Sequence, residues 1–532
     1  MPTLQFKGKN IIWNHHLSVP YHTLEEIGDL NFQPEKANGN LIVEGDNLLA
    51  LKALLPHYAG KVKCIYIDPP YNTGNEGWIY NDSVNSPMLK EWLGKEVSKD
   101  DLTKHDKWLC MMTPRLKLLR ELLADDGVFF ISIGDDEDRF LSVILSEIFG
   151  EEYFVAKFVW KSRAKPTNAG DAKYRPQKVA EYILTYSKKN PEEIFFNLYS
   201  GEERKYPFSD KDGKYRLTSI LTSNRGMFRR ETMRFEINGF KPDDDQRWKA
   251  GKEIIEELHK TNRLFFDDQG FPSWKKYDYD EDELLYPLYT YVNEDLSGTA
   301  EIGKSELNDL LGKFHGFDTV KPVQLIKYLI NITNTKDSII LDSFAGSGTT
   351  MHAVIELNKE DGGQRQCIMV QMTEATPREP EKNICRDITR ERVKRAIEKY
   401  GYDSGFKYLR VGIPIDAETL LAGELPTYQQ FAEYVYYLCT GESLKNKSRI
   451  NEKTYYVGEH GSSVIYLIYK QNFEELTHMA LNLQLAEEIS ARHPLKRRII
   501  YAPACFLEED YMKDKAIEYV GIPYNLFRRA GE

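Results

Sequence analysis

The sequence predicts an α/β fold built on one doubly wound parallel sheet. Three observations lead there. Short apolar runs alternate with amphipathic helical stretches in two separate regions, about 41–156 and 313–404. Some runs are apolar on both faces, as in Val128-Phe-Phe-Ile-Ser-Ile133, which suits a strand covered by helices on both sides. One run in each region stops at a turn of distinctive chemistry, Asp68-Pro-Pro-Tyr71 and Asp342-Ser-Phe-Ala-Gly-Ser-Gly348.

In the first region, Leu41-Ile-Val43 reads as a strand ending in Glu44-Gly-Asp-Asn47. Leu48 to Leu55 repeats leucines at helical spacing, and Pro56 and Gly60 punctuate its end. Lys63 to Ile67 is the next strand and runs into Asp68. A polar, Asn/Gly-rich loop follows to about Asp106. Trp108 to Leu123 is a long amphipathic helix, Val128 to Ile133 a strand, and Asp136 to Phe149 a helix. The second region supplies a helix from Val323 to Ile332 and a strand from Ser338 to Leu341. A helix from Thr349 to Leu357, a strand from Gln366 to Val370 and a charged helix from Asn383 to Tyr400 complete it. Between the two, 157–312 is rich in Tyr, Phe, Arg and Lys, with short alternating runs. After about Gly405 a small α/β module is expected: strand Ser463 to Ile468, helix Phe473 to Ala491, strand Arg498 to Tyr501. The organisation is therefore an N-terminal extension (1–40), two halves of one sheet domain (41–156 and 313–404), an insert (157–312) and a C-terminal α/β domain (405–532).

Composition excludes several classes. The chain has 532 residues, 41% hydrophobic and 29% charged, too apolar for wholesale disorder. Met1 to Asn10 has no apolar core for a secretory signal, and no run approaches the ~18 apolar residues of a membrane span. The six cysteines are scattered with no C-x-x-C pair, which argues against a disulfide framework or zinc site and fits a reducing cytoplasm. No metal is expected.

The two turns carry the chemistry. Consecutive prolines at Pro69 and Pro70 make a stiff loop without backbone donors, so their carbonyls are left as acceptors. Asp68 adds a carboxylate and Tyr71 a flat face. Two acceptors and an aromatic ring suit a planar amine on a base. The glycine turn after Asp342 allows close backbone approach to a ligand. It is neither a P-loop, which needs Gly-Lys-Ser/Thr, nor a dinucleotide fingerprint, since Met351 stands where the third glycine belongs.

Together the motifs resemble those of the DNA amino-methyltransferases that use S-adenosylmethionine. Phe344-Ala-Gly-Ser-Gly348 is similar to their cofactor motif and Asp68-Pro-Pro-Tyr71 to their catalytic motif. The catalytic motif comes first and the cofactor motif about 270 residues later, the order of the β group, a circular permutation of the common fold. Longer strings resemble the modification subunits of type III restriction–modification systems. These are Leu41-Ile-Val-Glu-Gly-Asp-Asn47, Ile65-Tyr-Ile-Asp-Pro-Pro-Tyr-Asn-Thr-Gly74, Asp126-Gly-Val-Phe-Phe-Ile-Ser-Ile133 and Lys321-Pro-Val-Gln-Leu-Ile326.

The resemblance implies a Rossmann-like S-adenosylmethionine-dependent methyltransferase sheet with an inserted target-recognition domain. It implies Asp68, Pro69, Pro70 and Tyr71 as catalytic residues. Phe344, Ala345, Gly346 and Gly348 would line the methionine end of the cofactor, Asp342 its amino group, and Lys321 and Pro322 its methionine moiety. Asp46 and Asn47 would lie near the adenine. An acidic residue usually holds the ribose after the following strand; the matching position here is Gln371, a departure from that pattern, with Glu374 three residues on. Asp68 favours adenine N6 over cytosine N4, whose enzymes commonly carry Ser-Pro-Pro-Tyr. Cytosine-N4 methylation, an RNA-modifying enzyme of similar fold and a catalytically silent recognition subunit remain as alternatives.

The formal net charge is −11, yet Lys157 to Phe235 holds 18 Lys+Arg against 9 Asp+Glu, a local +9 that leaves −20 for the remainder. Aromatic residues, among them Trp160 and Tyr215, are interleaved with the charges. Lys161, Arg163, Lys165, Lys173, Arg175, Arg225, Arg229 and Arg230 are the candidate contacts to double-stranded DNA. Asp278 to Glu283 reads as an acidic solvent loop. The resemblance further implies a prokaryotic cytoplasmic protein, a homodimer, and a separate ATP-dependent restriction subunit wherever DNA cleavage accompanies methylation.

Overall fold

A computed structural model describes residues 3–72, 104–165, 176–189, 191, 196, 199–200, 205–225, 229–280, 285–286, 288–317, 319–333, 336–375 and 379–522. Two compact units emerge, 1–197 with 289–532 and, separately, Leu198–Leu288.

The first unit is built on a ten-stranded sheet. In chain order its strands are β1 (Tyr21–Glu26), β2 (Leu41–Glu44), β3 (Val62–Ile67), β4 (Leu123–Ile133), β5 (Phe154–Lys161), β6 (Ala180–Ser187), β7 (Tyr291–Val292), β8 (Ile339–Asp342), β9 (Gln366–Gln371) and β10 (Lys407–Ile415). Across the sheet they run β1-β10-β2-β9-β8-β3-β4-β6-β5-β7. The six from β10 to β4 are mutually parallel. The two regions expected to share one sheet do so by interleaving: β9 pairs with β2, and β8 with β3. Burial explains why the central strands were readable. Ile65, Ile67, Phe129, Ile131, Leu341 and Val370 are all fully buried, as the near-continuous apolar runs of a parallel sheet require.

Helices cover both faces. Asp46 caps Asn47–Tyr58, its Oδ1 accepting from Leu48 N at 2.8 Å, the usual way to satisfy an orphan helix donor. The expected helix over Asn383 to Tyr400 is realised in two parts. A π-helical turn spans Cys385–Arg390, and α-helix follows over Glu391–Tyr400.

Several boundaries differ from expectation. The compact second unit is narrower than 157–312. β5 and β6 hydrogen-bond to each other, β6 to β4, and β5 to β7, so both ends of that span belong to the main sheet. Trp160, counted among the aromatic residues of the basic stretch, is a core side chain: it is fully buried and its Nε1 donates to Gly298 O at 3.1 Å. The 404/405 boundary falls just before β10, which pairs with β1 and β2.

The C-terminal module has its own four-stranded sheet of Tyr456–His460, Ser463–Leu467, Arg497–Ala502 and Ile517–Gly521. Its helix Tyr428–Thr440 packs into the core of the main sheet domain, with the Tyr434 and Tyr21 rings 4.3 Å apart between centroids. The helix expected over Phe473 to Ala491 is two helices, Phe473–Thr477 and Leu483–Arg492. Between them Leu481 exchanges backbone hydrogen bonds with Ala504 and Phe506, and Asn482 caps the second helix.

The second unit is an antiparallel sheet of Leu264–Phe266, Pro272–Tyr277, Gly213–Ser219 and Phe208–Asp210, in that spatial order. Helix Lys252–Lys260 buries Ile255 and Leu258 against Leu221, Trp248 and Leu264.

Candidate active site

The sheet topology puts the two motif turns side by side. β3 and β8 are neighbours, Leu341 registering with Ile65, so Asp68 and Asp342 end adjacent parallel strands. Ligands of open α/β sheets collect outside such carboxyl ends. A cleft of about 660 Å³ opens here, lined by the Asp68–Tyr71 turn, the Asp342–Ser347 turn, Lys321, Gln371 and Glu374.

The Asp68–Tyr71 turn is held from below. Trp108 Nε1 donates to Pro70 O at 2.7 Å, so that carbonyl is already engaged. Asn72 sits at φ +59° and donates to Glu137 Oε1 at 2.5 Å and Lys104 O at 3.0 Å. His105 Nδ1 also reaches Glu137 Oε1, at 2.6 Å, while burial pushes the Glu137 carboxyl above its usual range. Gly134, just after β4, makes room for the aromatic ring: a Cβ there would stand 3.1 Å from Tyr71 Cδ2.

At the centre lies a charge cluster. Lys321 Nζ, on a side chain only 6% exposed, meets Asp68 Oδ2 at 2.7 Å, Tyr71 OH at 3.0 Å and Glu181 Oε2 at 3.3 Å. Tyr71 OH in turn donates to Glu181 Oε2 at 2.8 Å. Burial alone would weaken the ammonium, but the carboxylates of Asp68 and Glu181 outweigh it and its pKa lies above the ordinary lysine value. Burial, then the Asp68 charge, pushes the Tyr71 phenol far up, so it stays protonated. Asp68 Oδ1 is buried with no hydrogen-bond partner among the described residues.

The glycine turn is internally satisfied. Phe344 N donates to Asp342 Oδ1 (3.0 Å), Ala345 N to Val370 O (3.2 Å), Gly346 N to Gln371 Oε1 (2.7 Å) and Gly348 N to Ala345 O (2.7 Å). A phosphate cradle needs such donors free, so this turn meets a ligand by shape rather than by gripping phosphate. Gly348, at φ +79°, is needed for packing: a Cβ would stand 2.8 Å from Thr389 O in the π-helical turn. Thr350 Oγ1 donates to Asp342 Oδ2 at 2.5 Å, yet burial still pushes the Asp342 carboxyl up to about 7. Beneath the turn the buried Arg392 donates to Ser347 Oγ at 3.0 Å and Thr349 Oγ1 at 2.6 Å.

A profile of the DNA methylase family, which groups N6 and N4 methyltransferases, matches residues 62–410. The chain belongs to the N6/N4 DNA methylase family. Among curated relatives, this family member is 33% identical over 430 residues to the StyLTI Mod subunit, a type III restriction–modification protein of Salmonella typhimurium. That alignment covers 74% of this chain and 62% of the relative. It is 31% identical to the EcoP15I Mod subunit of Escherichia coli, covering 73% and 68%. It is also 31% identical to the type II methyltransferase M.KpnI of Klebsiella pneumoniae, covering 64% and 82%. The chain thus spans about three fifths of the length of the StyLTI relative.

Of the residues expected to hold a cofactor, Lys321, Asp342, Phe344, Ala345, Gly346, Gln371 and Glu374 line the cleft of this family member. Pro322 and Gly348 are not among its lining residues. Asp46 and Asn47 do not line it: Asp46 caps its helix and pairs with Arg115 at 3.2 Å, and Asn47 donates to Ser343 O at 3.3 Å. Only Asn47 thereby ties the β2 turn to the β8 turn; the Asp46 side chain is taken up by its own helix and Arg115. Of the DNA candidates, Arg163 is exposed and lines the cleft, Lys161 pairs with Glu294 at 2.6 Å, and Lys165 is exposed. Lys173 and Arg175 lie outside the described residues. In the second unit Arg229 and Arg230 are exposed, and Arg225 pairs with Asp245. Asp280 of the acidic stretch pairs with Arg263 at 2.6 Å; 281–284 lie outside the described residues.

Two site residues escaped sequence reasoning. Glu181 is a lone acid at the start of β6, with nothing in the sequence to link it to position 71. Trp108 lies in the first turns of the helix Lys104–Leu122, where a tryptophan reads as core.

Proposed function

We propose that this chain transfers a methyl group from S-adenosylmethionine to the N6 amine of an adenine flipped out of duplex DNA. The observation that carries the reading is Asp68 at the carboxyl end of β3, which lines the same cleft as the glycine turn of β8 and whose Oδ1 has no hydrogen-bond partner among the described residues.

The cleft's charge fits the cofactor. Asp68, Glu181, Asp342 and Glu374 are four carboxyls against two cations, Lys321 and Arg163, with Phe344 and Phe317 as apolar wall. A sulfonium bearing an amino acid is a net cation, and such a lining favours it. When bound, it supplies an activated methyl group. Phe344, Ala345 and Gly346 would hold its methionine end, Asp342 would face its ammonium, and Gln371 with Glu374 would hold its ribose.

The chain's own residues would then handle the base. A target amine inside a duplex is unreachable, so the base must leave the stack. Its lone pair is delocalised into the ring. Hydrogen bonds from the amine to Asp68 Oδ1 and to the Pro69 carbonyl favour a pyramidal nitrogen whose lone pair can point at the methyl. The Pro70 carbonyl, already engaged by Trp108, serves to fix the turn. Tyr71 would stack the extruded base. Holding donor and acceptor in line is worth about 7–11 kcal/mol for an ideal fit.

Target recognition would fall to the span 157–312, with Lys161, Arg163, Lys165, Lys173, Arg175, Arg225, Arg229 and Arg230 contacting DNA. By analogy with the Mod subunits it resembles, the chain would act as a homodimer beside a separate ATP-dependent restriction subunit in a bacterial cytoplasm. No described helix is long and apolar enough to cross a membrane.

The test is transfer of a tritiated methyl group to duplex DNA, with Tyr71→Ala as the companion. The wild type should label DNA; Tyr71→Ala should label it at least ~100-fold more slowly while binding the cofactor normally, as loss of a group acting in the transition state requires. DNA binding without transfer by the wild type would leave a silent recognition subunit as the better reading.

A further inference from the structure

We propose that Glu181 is a positioning residue for methyl transfer, sharing the Lys321 ammonium with Asp68 so that Asp68 keeps an acceptor oxygen for the incoming amine. This rests on the methyltransferase reading above and extends it to a residue outside both motif turns.

The geometry is a short chain of donors. Lys321 Nζ donates to Tyr71 OH at 3.0 Å, and Tyr71 OH donates to Glu181 Oε2 at 2.8 Å. The same Glu181 oxygen lies 3.3 Å from Lys321 Nζ, which also donates to Asp68 Oδ2 at 2.7 Å. One ammonium thus stands between two carboxylates, both largely buried. Without the Glu181 charge, Lys321 would be committed to Asp68 alone and would weaken that carboxylate as an acceptor. With it, the Asp68–Lys321–Glu181 group keeps one net negative charge beside the nitrogen on which positive charge develops. Preorganised charge in a water-poor site is among the largest catalytic effects. In the step itself, nitrogen bonds the methyl carbon as the sulfur–methyl bond breaks, its electron pair staying on sulfur. The nitrogen then gives one proton to Asp68 Oδ1.

Glu181 also fixes the ring that would stack the base. Tyr71 OH is held at both ends of its hydrogen-bonding capacity, accepting from Lys321 and donating to Glu181, which sets the ring's direction. β6 carries Glu181 opposite Trp160 of β5, and Trp160 is fully buried, so the carboxylate is presented from rigid sheet.

The experiment is a double-mutant cycle on the full chain, read as the single-turnover rate of methyl transfer at saturating cofactor. Glu181→Gln should slow the rate ~10-fold or more, the scale of losing a preorganised electrostatic contact. Its melting temperature should be unchanged and its cofactor dissociation constant within threefold of wild type. Lys321→Met leaves two carboxylates without their cation and should be slower still. Adding Glu181→Gln to Lys321→Met should raise the rate above that of Lys321→Met alone, because it removes the repulsion; a merely structural role would make the losses add. Tyr71→Phe, which removes only the hydroxyl link, should lower the rate with cofactor affinity intact, and serves if Glu181→Gln melts early. A wild-type rate in both Glu181→Gln and Tyr71→Phe, or additive losses in the cycle, overturns the role of Glu181 while leaving the methyltransferase reading untouched. An inactive wild type overturns both.

Discussion

Two buried charge clusters in the first unit have opposite designs. In the cleft, one cation, Lys321, lies between two carboxylates, Asp68 and Glu181, and an Asp68 oxygen has no partner among the described residues. Where the C-terminal helix Tyr428–Thr440 meets the helix Asn47–Tyr58, one carboxylate lies among donors. Glu433 faces His57 Nδ1 at 2.5 Å and Lys447 Nζ at 2.7 Å, and accepts from Gln429 Nε2 at 2.9 Å. In the first cluster carboxylates outnumber cations. The second is closed on itself and holds two parts of the fold together. Burial alone marks neither as functional; the sign of the excess does.

Substitutions should separate the two. The largest effect is expected for Asp68→Ala, which removes the acceptor for the amine. Single-turnover transfer should fall by ~10³-fold or more, a scale typical of deleting a preorganised transition-state contact, while thermal unfolding barely changes. Glu433→Gln should do the reverse. Breaking a buried pair costs about 3–5 kcal/mol, and the low end applies because Lys447 stays half-exposed. Denaturant unfolding should show that loss, with specific activity below the transition unchanged. If Asp68→Ala instead unfolds the protein, or Glu433→Gln abolishes transfer, the contrast fails.

Much of this contrast was legible in the sequence on one side only. Asp68-Pro-Pro-Tyr71 and the glycine turn stand at the ends of apolar runs, so both the central strands and the cleft could be read. β10 was hidden because Arg410, Gly412 and Pro414 interrupt its apolar pattern. Glu181 and Glu433 were hidden for a different reason: Glu181 meets Tyr71 and Lys321, and Glu433 meets His57, each more than 100 residues away in sequence, and no local period records such a contact. Trp160 misled because basic neighbours made a core tryptophan look like part of a DNA-facing surface.

Acidity sharpens the comparison further. Burial would raise the Glu433 carboxyl, but hydrogen bonds and charge from His57 and Lys447 bring it down to about 2. Its contribution to stability is therefore full above the ordinary glutamate pKa of about 4.3 and lost as pH falls through about 2. Glu433→Gln should flatten that acid limb in a pH series of melting temperatures.

The smallest expected effect concerns Asp342, which burial raises to about 7. A neutral carboxyl is favoured in the free protein, so its contribution to stability is full below the ordinary aspartate pKa of about 3.9 and lost as pH rises through about 7. A cofactor ammonium favours the ionised form. Cofactor affinity should therefore rise, by up to ~10-fold, between pH 6 and 8, and calorimetry should detect proton release on binding. Asp342→Asn should remove both signals.

The central claim is that Asp68 and Tyr71 act on an adenine amine. The most direct measurement is mass spectrometry of nucleosides from duplex DNA incubated with the protein and isotopically labelled S-adenosylmethionine. Labelled N6-methyl-2′-deoxyadenosine as the sole modified nucleoside is the result expected. Labelled N4-methyl-2′-deoxycytidine, or no labelled nucleoside from a protein that binds the cofactor, would contradict it.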